Sequence, residues 1–220
     1  MLKLEEVVKK GGLIYPQDVI YRQEKDFKSL YAVRLGCIKT YRMTEDGREQ
    51  VTGFYLSGKI FGMDGIGSGH YTNSSVALET SSVSELPFYD LEKLGSKIPH
   101  LQHHIFRLLG NEIALDQQHI KLLSKNTAKE GMAALLLSLS TRFAASKQSA
   151  MRFRLPMSRA DIVNYLGLTV ETVSRVLGKM QKIGELRVDN KEVEILDVDK
   201  LKTQVGVQKP TLPLVYFVAA

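Results

Sequence analysis

The sequence predicts an α+β chain: an N-terminal jelly-roll-like β-barrel, a long dimerisation helix and a C-terminal winged helix-turn-helix. Three observations predict it. Short apolar runs punctuated by glycine fill residues 13 to about 91. Apolar residues then step by threes and fours from Phe106 to Leu123. Finally, Leu155 to Lys182 reads LPMSRADIVNYLGLTVETVSRVLGKMQK, two short amphipathic helices around a glycine.

In the first region, residues 29–34, Cys37–Met43 and Glu49–Leu56 read as strands. Asp46-Gly47 lies between the last two and is a strong hairpin turn signal. Glycines at 58, 62, 65, 67 and 69 mark further turns. Many short strands with regular turns suggest a jelly-roll-like barrel. The expected division is 1–97 for the barrel, 98–124 for the dimerisation helix and 125–146 for a hinge helix. The winged helix-turn-helix follows at 147–200, then a tail at 201–220. The end of that tail, LPLVYFVAA, is apolar and has no functional reading.

From about Pro99 the pattern becomes helical. Phe106, Leu109, Ile113, Asp116, Ile120 and Leu123 are spaced 3, 4, 3, 4 and 3, the seam of a coiled coil. Leu101, Ile105 and Leu108 lie on another face, suited to the helix's own barrel. Strict alternation along the seam favours a partner helix, and so a homodimer. Asp116 interrupts it. Two symmetry-related carboxylates repel and are costly to bury, so Asp116 is expected to keep the dimer adjustable. Thr127 and Glu130 have the spacing of a capping box, which opens a helix through about Ala145.

Ser158 and Asp161 suggest a second capping box. Ile162, Tyr165 and Leu166 then give one buried face, and Gly167 can end the helix in a left-handed turn. Leu168 reads as a core plug in that turn. Thr169 caps a second helix, with Val170, Val173, Leu177 and Met180 as its apolar side. Glu171, Ser174, Arg175 and Gly178 line another side, beginning at the helix N-terminus. In this motif that end meets base edges in the major groove of double-stranded DNA. Val170, Glu171, Ser174 and Arg175 are therefore the candidate base contacts. Arginine can donate twice to guanine, glutamate can accept from cytosine, and serine serves either. Ser158, Arg159, Thr169, Thr172, Lys179 and Lys182 are candidate phosphate contacts, with Arg152, Arg154 and Arg187 nearby. A polar helix face is also what any solvated helix shows, and Glu171 suits the first turn of a helix dipole without DNA. Residues 186–188 and 191–196 suggest a small hairpin, the wing.

Composition sets bounds. The 220 residues suit one or two domains, and a 44% apolar share supports packed cores. No apolar run is long enough to span a bilayer, so no membrane association is expected. The N-terminus is charged and lacks the apolar centre of a signal peptide, which suggests the cytoplasm. A net charge of +6 is compatible with an acidic polymer partner. One cysteine excludes an intrachain disulfide and an all-cysteine metal site within the chain. No Ser/His/Asp order, P-loop or metal quartet suggests an enzyme.

The string from Met157 to Arg175 closely resembles the Crp–Fnr superfamily of bacterial transcription regulators, in its Fnr branch. So do residues 28–34, 65–70, 77–80 and 122–125, and the similarity spans about residues 13 to 196. The resemblance implies a cyclic-nucleotide-binding-type barrel and a homodimer that reads a TTGAT…ATCAA-like site through Glu171, Ser174 and Arg175. It also implies RNA polymerase contact through exposed barrel loops. The candidates are Glu45, Asp46, Gly47, Arg48 and Glu49, with Thr80 near another loop. A charged hairpin is equally a solvated one.

The chain departs from that family in its sensing residues. Fnr-type oxygen sensors hold an iron–sulfur cluster with four cysteines. Three lie in an N-terminal extension with no counterpart here, and Ser84 stands where the fourth would fall. No iron–sulfur cluster is expected. The cyclic-AMP-binding branch grips phosphate with a Glu and an Arg–Ser pair. Ser74 stands at the arginine position, which argues against cyclic AMP. His100, His103 and His104 could place two imidazoles on one helix face, but surface histidines are the simpler reading. Cys37 is either a redox thiol or a small buried hydrophobe. The competing function is a small-ligand, haem or redox sensor whose barrel controls DNA binding.

Overall fold

Residues 7–125 and 127–205 are described by a computed structural model. They fall into two compact units, 1–117 and 118–220. The apolar tail at 212–220 lies outside the described residues.

In the first unit, β1 (Lys9–Ile14), β8 (Ser81–Pro87), β3 (Ser29–Leu35) and β6 (Ile60–Phe61) form one sheet in that order. The other sheet runs β2 (Val19–Tyr21), β7 (Ser74–Ala77), β4 (Cys37–Met43), β5 (Glu49–Leu56). Every pairing is antiparallel. Tyr21, Ile38 and Ala77 from one sheet meet Val33, Phe61 and Val83 from the other in a single buried cluster. Side chains of both sheets thus meet in the space between them, as a jelly-roll requires. The barrel is two facing sheets rather than a closed cylinder.

The β4–β5 hairpin turns at Asp46-Gly47, as the sequence predicts. Gly47 takes φ +76, a value that costs glycine little, and its N–H donates to the Thr44 carbonyl at 2.9 Å. A second cluster joins Leu30, Ile60 and Leu86 to Leu91 and Leu94 of α1 (Phe88–Gly95). Leu101 and Leu108, at the start of α2 (Pro99–Lys125), pack against it, on the face the sequence assigned to the barrel. The seam residues lie elsewhere on α2. Phe106, Ile113 and Ile120 are each about 60% exposed.

The second unit is built on α3 (Ala128–Ala145). The Thr127–Glu130 capping box is formed in both directions, and Leu135, Leu136 and Leu139 are buried. Next come β9 (Arg152–Arg154), α4 (Arg159–Leu166) and α5 (Val170–Lys182). The wing strands β10 (Leu186–Asp189) and β11 (Glu192–Ile195) follow, and then α6 (Val198–Val205). The sheet order is β10-β11-β9. Neither β9 nor α6 was expected, and α6 runs across residue 200, where the domain was expected to end. Leu201 of α6 is fully buried, so this helix completes the core. Among the described residues, no helix is long and apolar enough to cross a membrane.

Candidate nucleic-acid interface

The candidate interface is α4, α5 and the wing. Ser158 caps α4. Its Oγ accepts from the Asp161 N–H at 3.0 Å, and Asp161 Oδ2 accepts from the Ser158 N–H at 2.9 Å. This reciprocal pair satisfies two orphan donors of the first turn. Ile162 and Leu166 are buried, while Tyr165 is half-buried. Gly167 ends the helix at φ +62, where a side chain would be strained. Leu168 is half-buried beneath the turn.

Thr169 then caps α5, accepting from the Thr172 N–H at 3.3 Å. Val173, Val176, Leu177 and Met180 form the buried side of α5. The sequence reading had placed Val170 there. Val170 is 53% exposed, and Val176 takes its place. Val176 follows Val173 by three and precedes Met180 by four, so it shares their side of the helix. Val170 therefore shares the outer side with Glu171, Ser174 and Arg175, all exposed. Lys179 and Lys182 continue outward along the helix. The carboxyl pKa of Glu171 is held below its ordinary value by its own N–H and by the Thr169 hydroxyl, so the group is ionised at neutral pH.

The other basic candidates separate into two kinds. Arg152 and Arg154 are exposed on β9. Arg187 is exposed but bonds to Glu194 at 3.1 Å. Arg159 is half-buried, and its Nη2 donates to the Asn190 carbonyl at 2.9 Å. Two contacts had no sequence signal. Gln181 Oε1 accepts from the Val188 N–H at 2.9 Å, tying α5 to the wing. The His119 ring stacks on Tyr165 at 4.0 Å, and its Nε2 donates to the Tyr165 carbonyl at 2.9 Å.

The segment from Asp64 to Ser75, in the first unit, is tied together by its own hydrogen bonds. Asp64 Oδ2 accepts from the backbone N–H groups of Thr72 and Asn73 at 2.8 and 2.9 Å, and from both side chains at 3.0 Å. The Ser74 hydroxyl accepts from the Gln23 N–H at 3.0 Å. The Ser75 hydroxyl accepts from the Tyr21 N–H at 3.2 Å. Both serines are buried. Beside them the Tyr21 ring stacks on Tyr71 at 3.9 Å. These polar groups hold the loop to the sheet.

The remaining sensing candidates stand apart. Cys37 is completely buried in β4, the environment of a small hydrophobe. Ser84 is buried in β8. Neither residue gives a four-thiolate cluster its donors. His100 and His103 are exposed, and His104 is half-buried. Burial, then the adjacent Arg107, lowers the His104 pKa. Among the described residues no group of three or more His, Cys, Asp or Glu side chains could hold a metal ion. Glu45, Asp46, Gly47, Arg48 and Thr80 are exposed, whereas Glu49 is half-buried and pairs with Lys39. Arg48 Nε donates to Asp46 at 2.6 Å.

Comparison with known proteins agrees with this layout. Residues 132–204 match the Crp-like helix-turn-helix domain, and residues 14–97 match the cyclic nucleotide-binding domain. The chain is 46% identical over 204 residues to the fumarate and nitrate reduction regulatory protein of Salmonella typhimurium, covering 93% of this chain and 82% of that protein. The protein of the same name from Escherichia coli K12 matches with the same identity and coverage. Among solved structures, FixK2 from Bradyrhizobium japonicum superposes with a TM-score of 0.81 at 28% identity, over 90% of this chain and 97% of that one. The identity and coverage of these relatives, together with the two matched domains, show that the chain belongs to the Crp–Fnr family of transcription regulators, with a DNA-binding helix-turn-helix.

Proposed function

We propose that this regulator acts as a homodimer and reads a TTGAT…ATCAA-like palindrome through Glu171, Ser174 and Arg175. One observation carries the reading: the outer face of α5 is polar, exposed and begins at a capped N-terminus. Arg175 suits a guanine, whose O6 and N7 accept both guanidinium hydrogen bonds. Glu171, ionised, suits a cytosine amino group. Val170 offers an apolar edge to a thymine methyl. Ser158, Thr169, Thr172, Lys179 and Lys182 contact phosphates and set the register. Arg175→Ala is expected to cost about 1–3 kcal/mol on the matched palindrome and relax preference at the guanine. Binding assays on matched and mutated palindromes check this. Equal binding of the native chain to both would sink the reading.

The seam of Phe106, Leu109, Ile113, Asp116, Ile120 and Leu123 supports dimerisation; all but the half-buried Leu109 are exposed. A second α2 would cover these apolar residues and set two α5 helices against successive major grooves. Asp116 is exposed, and in such a dimer it would oppose its own copy across a two-fold axis. Asp116→Ala is expected to tighten the dimer; sedimentation that shows an unchanged dissociation constant removes this role.

Buried Cys37 and Ser84, and the internal bonds of Asp64, Ser74 and Ser75, support DNA reading without an iron–sulfur cluster or a cyclic nucleotide. The exposed Asp46–Arg48 hairpin and Thr80 are the proposed RNA polymerase contacts.

A further inference from the structure

We infer that Arg159 is a positioning residue, which holds the wing against the helix-turn-helix instead of meeting a phosphate directly. The inference rests on the DNA-reading function proposed above. Arg159 is the first residue of α4, where an exposed arginine would sit beside the DNA backbone. Its side chain goes elsewhere. Nη2 donates to the carbonyl of Asn190 at the wing turn, 31 residues along the chain. Asn190 takes φ +51, a left-handed value that asparagine tolerates better than most residues. Nη1 is enclosed and has no hydrogen-bond partner among the described residues. Leaving a guanidinium nitrogen unpaired and dry is costly, so the neighbouring bond and packing must hold it there. Arg152, Arg154 and Arg175, by contrast, are exposed.

Other bonds fix the same joint. The Leu155 N–H donates to the Lys191 carbonyl at 2.8 Å, and Lys191 Nζ donates to the Pro156 carbonyl at 3.4 Å. On the far side, Gln181 of α5 accepts from Val188. The wing is thereby tied to the entry of α4 and to the last turn of α5. Arg159 is the long side chain that reaches its tip. It sets the distance between recognition helix and wing, and so the spacing of two contacts on one DNA half-site.

The test uses the full chain with R159M, which keeps the aliphatic stem but removes the donors, and R159K, which restores one. Hydrogen exchange is measured without DNA. R159M is expected to speed exchange across residues 186–195 by about tenfold while 170–182 stays unchanged, and R159K to recover most of the protection. DNA affinity on the matched palindrome is then titrated against salt. Unchanged wing exchange in R159M overturns the inference. Unchanged exchange with a salt slope shallower by about one makes Arg159 a phosphate ligand instead. If the native chain does not discriminate its palindrome, the DNA reading fails separately, and the exchange result still decides the role of Arg159.

Discussion

The outer face of α5 and the segment from Asp64 to Ser75 are both polar, and each lies within a matched domain of the family. They differ in where their polar groups point. On α5, Glu171, Ser174 and Arg175 face solvent from a helix held by its buried side. In the loop, Asp64, Ser74 and Ser75 bond to neighbouring backbone and side chains of their own unit. The first arrangement leaves its hydrogen-bonding capacity for a partner. The second uses it to close a turn. The difference teaches that polar residues of one chain can be left facing solvent in one region and be spent on internal bonds in another.

The strongest way to break this contrast is to remove the support of α5. Met180 is completely buried beneath it. Met180→Ala is expected to cost about 2–5 kcal/mol of stability in the second unit. Calorimetry should show this with the unfolding of the sheet unit unmoved. A shift below about 1 kcal/mol would mean that α5 does not depend on its buried side.

The next effect sharpens the other half. Asp64→Ala removes the acceptor for four donors in this segment. A loss of about 1–3 kcal/mol from the sheet unit is expected, since four part-buried donors are left unmatched. Denaturant unfolding measures it. No loss would mean that the carboxylate is held for a ligand and not for the loop.

Much of the α5 side was legible in the sequence because its determinants are local. Ser158 with Asp161, Gly167 and Thr169 each act within four residues, so spacing alone placed both helix ends. The helix that carries Phe106 to Leu123 was legible for the same reason: a repeat of three and four is written along one helix. Val170 was misplaced because its spacing from Val173 fits either side of the helix boundary, and only packing chooses Val176. β9 was missed because three residues carry no periodicity. Its identity comes from pairing with Glu192–Ile195, about forty positions away. Arg159 looked like every other basic residue near the motif, since nothing in the sequence announces the Asn190 carbonyl. The bonds of Asp64 were hidden likewise. The glycines around it correctly indicated turns, but not which side chain closes them.

The most direct test of the central contrast is DNA binding by the purified full chain after exhaustive dialysis, with and without added cyclic AMP. The account predicts tight binding to the TTGAT…ATCAA palindrome, lost when its half-sites are mutated, and the same dissociation constant with or without the nucleotide. Binding that appears only when cyclic AMP is present would contradict it, because the loop from Asp64 to Ser75 would then be an open site.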